Sequence, residues 1–129
     1  MQGLHLTADL HQCRCDRAWL TDADLLGTRC TQLVAEAGLQ AVAQLFHTFP
    51  GSAQDGIEQP GGVTATVLLA ESHLCVHTWP EQAAVTLDVY VCNFGGDHSA
   101  KAHALMAQLV ALFAPEHTER HRLQRGAMP

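Results

Sequence analysis

The sequence predicts an α+β protein: a two-layer sandwich with a mainly antiparallel sheet and helices on one face. Apolar, β-branched runs of strand length recur five times along the 129 residues, and two other stretches carry apolar residues at helical spacing. These strands run in sequence with the two helices interspersed. The length suits a single domain, residues 1–129, built round one core.

The first strand is read over residues 4–10, LHLTADL, where apolar residues alternate. A helix follows over residues 21–38, with Thr21 or Asp22 as its amino-terminal cap and Gly38 at its carboxyl end. Residues 39–49 form a second strand. Residues 50–62 are rich in Gly, Pro and polar side chains and read as a loop. Three strand-like runs follow at 63–70, 74–79 and 84–93, then a second helix over 99–113. Pro115 opens a charged tail, expected to be a poorly ordered, solvated end. No repeat or low-complexity segment interrupts this order.

Composition excludes several functions. The formal charge of −6, with no basic stripe, disfavours nucleic acid and suits a cationic substrate. No run approaches the ~18 apolar residues of a membrane span. The opening MQGLHLTADL lacks the basic start and apolar core of a signal peptide, so a cytoplasmic protein is expected. Five cysteines, an odd number, point to reduced thiols.

Chemistry concentrates between Gly61 and Phe94, where a serine, histidines and cysteines interrupt apolar runs. The words AESH (Ala70 to His73) and VHTWPE (Val76 to Glu81), with Cys92 ending the next run, resemble the processing segment of bacterial S-adenosylmethionine decarboxylase proenzymes. Gly3, His5, Leu6, Asp9 and Cys13 are similar to the family's opening pattern. The resemblance implies a pyruvoyl-dependent carboxy-lyase that makes its own cofactor. Ser72 Oγ would attack the Glu71 carbonyl, and β-elimination of the resulting ester would leave residues 1–71 (the β chain) and 72–129 (the α chain). Hydrolysis would then turn residue 72 into a pyruvoyl group, an electron sink for decarboxylation.

The resemblance also implies roles. His77 would abstract the Ser72 α-proton during elimination, and Thr64 would support processing by donating to the developing oxyanion. Cys92 would return a proton to the substrate α-carbon. Trp79 and Glu81 would line the nucleoside end of the site, with Phe49, or failing it Phe46, stacking on the adenine. The bland readings are strand packing for Trp79, Phe46 and Phe49, and a turn-shaping role for His73. Ser72 and His77, five residues apart, would face opposite sides of an unbroken strand. A turn around Glu71 to His73 is therefore expected, folding His77 back towards Ser72 and straining the scissile backbone.

A metal is not expected. Cys13-x-Cys15 and Cys75-x-His77 have one intervening residue where structural zinc pairs have ~2–4, although His73, Cys75 and His77 would share a strand face. The family's S-E-S-H has Ala70 at its first position here, and the loop before Thr64 is longer than in compact members. The implied substrate is S-adenosylmethionine, giving the aminopropyl donor of spermidine synthesis; the alternative is ornithine or arginine on the same scaffold. An unprocessed regulatory homologue is a third reading. The resemblance further implies a homodimer paired through the free sheet face.

Overall fold

The structure, a computed structural model, describes residues 1–126. Eight strands and three helices appear among them, in the order β1 (Gly3–Cys13), α1 (Ala18–Thr21), α2 (Ala23–Glu36), β2 (Ala41–Thr48), β3 (Ser52–Gln54), β4 (Ile57–Gln59), β5 (Val63–Leu69), β6 (Ser72–Trp79), β7 (Ala84–Cys92), α3 (Ser99–Phe113) and β8 (Pro115–Arg125). Six strands form one sheet in the order β2-β5-β6-β7-β1-β8, every neighbouring pair antiparallel. Both long helices pack on one face of this sheet, so the α+β two-layer reading holds.

Alternation decides which face each side chain meets. Val63, Ala65, Val67 and Leu69 of β5, Leu74 and Val76 of β6, and Val85, Leu87, Val89 and Val91 of β7 are buried under the helices. The helices answer with Leu26, Cys30, Leu33 and Val34 from α2 and Leu105, Leu109 and Phe113 from α3, all at most 1 % exposed. Burying each large apolar side chain stabilises the fold by ~2 kcal/mol. Thr78 is the one buried polar residue among those described, and its hydroxyl is satisfied twice: it accepts from the Val63 amide at 2.8 Å and donates to the Leu20 carbonyl at 2.7 Å. This hydroxyl ties α1 to the far end of the β5–β6 hairpin.

The helix read over 21–38 forms as α2 with Asp22, one of the two expected caps, accepting from the Leu25 amide at 3.1 Å; the short α1 before it was not expected. Two further expectations change. Within the expected loop 50–62, β3 and β4 pair as a small hairpin whose turn is Asp55 and Gly56, both at positive φ. Most consequentially, the tail is an ordered edge strand: β8 pairs antiparallel with β1 from Cys13↔Pro115 to Gly3↔Arg125. Its charged side chains suit an edge strand, where they discourage further pairing. Only residues 127–129 of that tail lie outside the described residues.

Close packing of α2 on β2 depends on Gly27, where an added Cβ would come within 2.3 Å of the Phe46 ring. Phe46 is thereby a core-packing residue. Gly27→Ala is expected to destabilise the uncleavable Ser72→Ala chain by ~1 kcal/mol in urea denaturation, overpacking outweighing the gain in helix propensity. A stabilised variant would show that the Phe46 ring yields freely.

Candidate active site

The segment expected to be cut lies in a two-residue turn, Ala70 and Glu71, closed by the pair Leu69↔Ser72. Glu71 has φ 54°, the left-handed region that favours glycine and costs other residues ~1–2 kcal/mol. The strain expected from the sequence therefore sits on the residue whose carbonyl Ser72 would attack. Ser72 opens β6, and its Oγ accepts a hydrogen bond from the Cys92 backbone amide at 2.9 Å. Ser72, Glu71 and Cys92 line one cavity of about 390 Å³, with Phe94, His98 and Lys101 on its wall. Beside it, Asn93 accepts from the His98 amide at 2.8 Å and donates to Ser99 Oγ at 3.2 Å, fastening the end of β7 to the start of α3.

His77 does not fold back. β6 runs unbroken from Ser72 to Trp79, so His77 lies about 16 Å along the strand from Ser72, on the face opposite the helices. The turn forms one residue earlier than expected, at Ala70–Glu71, leaving His73 to His77 fully extended. On the open face His77 stands directly across from Thr64, and Nδ1 shares a 2.8 Å hydrogen bond with Thr64 Oγ1. His77 Nε2 lies 3.5 Å from Cys75 Sγ, and that sulfur is 3.5 Å from Thr66 Oγ1.

A second cavity, about 520 Å³, opens at this far end of the hairpin and is lined by Thr64, His77, Phe49, Trp79 and Glu81 among others. The sequence-predicted residues thus form two groups. Ser72 and Cys92 sit at one end of the β5–β6 hairpin, and His77, its hydroxyl partner Thr64, and Phe49, Trp79 and Glu81 at the other. Phe49, 48 % exposed and edge-on to His47 at 4.6 Å between ring centroids, is available to a ligand as Phe46 is not.

Between the two ends lies a network that the sequence reading did not single out. Arg125 donates to His5 Nδ1 at 3.3 Å, leaving the ring proton on Nε2, which donates to Asp88 Oδ2 at 2.8 Å. His73 Nε2 donates to the other carboxylate oxygen at 2.9 Å. The ligand atoms of His5, His73 and Asp88 lie within 4.8 Å of one another, close enough for a metal, but the Arg125 bond places a proton where a metal would bind. The arrangement is a hydrogen-bonded clamp around the carboxylate. Asp88 carried no motif of its own. Its signal was the sole acidic residue in the β7 run.

Cys13 and Cys30 are buried and structural. Burial pushes the Cys30 thiol up to about 12, and burial with the neighbouring Cys15 pushes Cys13 up to about 11, so both stay protonated and unreactive near neutral pH.

Comparison with known proteins decides the family. The S-adenosylmethionine decarboxylase family model matches residues 4–126. The chain belongs to that family. Its relatives include the S-adenosylmethionine decarboxylase proenzyme of Parasynechococcus marenigrum, 35% identical over 93% of this chain and 83% of that one. The proenzyme of Aquifex aeolicus is 33% identical over 96% of this chain and 81% of that one. A crystal structure of the adenosylmethionine decarboxylase from Aquifex aeolicus superposes with a TM-score of 0.79 at 30% identity, covering 98% of this chain and 92% of that chain. The split disposition of residues described above is therefore set on a decarboxylase fold.

Replacing Glu71 by glycine in the Ser72→Ala chain is expected to raise stability by about 1 kcal/mol, because glycine adopts the left-handed turn without strain. Urea denaturation of the two uncleaved chains measures this, and an unchanged or lower midpoint would mean that the turn holds no strain to release.

Proposed function

We propose that the chain is a self-processing, pyruvoyl-dependent S-adenosylmethionine decarboxylase that supplies the aminopropyl donor for spermidine. The observation that carries this reading is Ser72 placed immediately after the strained Glu71, in one cavity with Cys92. The membership of a family whose relatives are named decarboxylase proenzymes supports it. Ornithine and arginine, the alternative substrates, find no support among the relatives described.

The residues at position 72 fit a pyruvoyl group derived from Ser72. Its Oγ is held by a backbone amide, its preceding carbonyl lies in a turn, and the adjoining cavity has room for a small substrate. Once formed, that group supplies the electron sink for loss of carbon dioxide. Cys92 then delivers a proton to the substrate α-carbon. Phe49, Trp79 and Glu81 hold the nucleoside, aromatic faces against the base and the carboxylate on ribose hydroxyls. Thr64 orients His77 through their shared hydrogen bond.

His77 can serve Ser72 only from another chain, since the two lie at opposite ends of β6. We therefore place the active site across a homodimer formed through the open sheet face. Exposed Leu45 and Leu68 on that face favour such burial. Two-fold symmetry then sets the Ser72 end of each protomer against the His77 end of its partner, giving two equivalent sites.

Single substitutions test the chemistry. Ser72→Ala is expected to run as one full-length chain on a denaturing gel and to release no carbon dioxide from S-adenosylmethionine; two chains would move the cleavage site. Cys92→Ala should yield two chains but lose most turnover, ~10²-fold or more for loss of a general acid. Normal turnover would remove Cys92 from the mechanism.

Mixing separates the cross-protomer site from a single-chain one. Ser72→Ala and His77→Ala are each expected to stay uncleaved alone. Coexpressed, they form a heterodimer with one intact site, and the His77→Ala chain should then be cut. A mixture in which neither chain is cut would confine the site to one protomer.

A further inference from the structure

We propose that Lys101 and His98 form a carboxylate site that receives the new carboxyl terminus of Glu71 created by processing. This rests on the self-processing reading above and goes beyond it, to what holds the two chains together afterwards.

Charge bookkeeping raises the need. Ordinary peptide hydrolysis makes a carboxylate and an ammonium, which neutralise each other. Here the Ser72 oxygen takes the Glu71 acyl group as the peptide C–N bond breaks. A base then removes the residue 72 α-proton and the Cβ–O bond breaks, its electron pair departing on the Glu71 carboxylate. The enamine left at residue 72 reacts with water to give a ketone and ammonia. The carboxylate at residue 71 is therefore born without the ammonium partner that hydrolysis would provide, in a cavity already holding the Glu71 side chain. Leaving a charge part-buried and unpaired is costly.

The cavity wall supplies what that charge lacks. Lys101 is the only lysine of the chain, and it lines the same cavity as Glu71 and Ser72. Its side chain lies along Gly38, where an added Cβ would meet Cε at 3.4 Å, and it enters no ion pair among the described residues. His98 lines the cavity too, and its Nδ1 is the one buried side-chain nitrogen or oxygen without a hydrogen-bond partner among the described residues. Buried polar atoms normally find partners, so an orphan on a residue of this cavity's lining points to a group that arrives later. Glu71 and Lys101 are the acidic and basic side chains that line this space, with the His98 imidazole beside them. Two carboxylates at residue 71 would then meet one ammonium and one imidazole.

The site exists only after cleavage, which makes it separable from a structural role. Lys101→Met is made in two backgrounds, the self-cleaving chain and the uncleavable Ser72→Ala chain, with cleavage checked on a denaturing gel before melting. The expected result is a melting temperature lowered by about 4 °C in the processed protein and unchanged in the uncleaved one. Lys101→Arg should recover most of that loss, and His98→Gln should reproduce the pattern at smaller amplitude. Equal lowering in both backgrounds, or none in either, overturns the carboxylate site while leaving processing intact. A raised KM for S-adenosylmethionine with no difference in melting assigns Lys101 to the substrate carboxylate and overturns it too. A single chain from the wild-type sequence overturns both this inference and the processing reading on which it rests.

Discussion

Side-chain alternation along β6 is the constraint from which the rest follows. Leu74, Val76 and Thr78 must face the helices to close the core, so His73, Cys75 and His77 must face away. A slip of one residue would bury three polar side chains and expose the apolar ones, which no rearrangement of the loops could compensate. The histidine is thus committed to the open face, far from the serine. The separation of His77 from Ser72, on which the proposed two-chain site rests, is a consequence of a packing rule that has nothing to do with catalysis.

The proposed function places opposite demands on the two ends of the hairpin. At the far end a substrate pocket would have to keep its shape, and there the Thr78 hydroxyl fastens β5, β6 and α1 together. At the Ser72 end the proposed cleavage would need a turn poised to break. The left-handed Glu71 stores a strain of ~1–2 kcal/mol, and the neighbouring strands keep that turn from relaxing into another conformation. Such a strain is small against the barrier to peptide cleavage, so it biases the ground state and leaves the chemistry to positioned groups.

Much of this was legible in the sequence, for identifiable reasons. Helix α3 was read to the residue, because its apolar spacing ends against Pro115. The central strands were read to within two residues, their buried positions being β-branched or aliphatic throughout. Strand β8 was missed because an edge strand buries little, and its residues carry charge where the reading looked for apolar alternation. The Asp55-Gly56 hairpin was overlooked although that dipeptide is a turn signal, since only three residues flank it on each side. Among site residues, spacing identified Ser72, His77 and Cys92 as candidates but misplaced their relation: proximity in sequence suggested a fold-back, whereas an extended strand separates neighbours by distance and by face alike. Lys101 and His98 had no motif, and only the cavity brings them into view.

The proposed two-fold pairing places one further demand on the sheet, and the sequence meets it. A side chain near a two-fold axis faces its own copy, so an unpaired charge there repels itself. The axis must pass between the two ends of the hairpin, near the row formed by Thr66, Cys75, Asp88 and Thr7. Three of these are neutral. The fourth, Asp88, is held between the Nε2 protons of His5 and His73, each carboxylate oxygen occupied. Both oxygens are already hydrogen-bonded within its own protomer, so neither is left without a donor when a second copy approaches. Under the proposed pairing, the clamp that looks like a metal site keeps this carboxylate satisfied in the middle of the open sheet face.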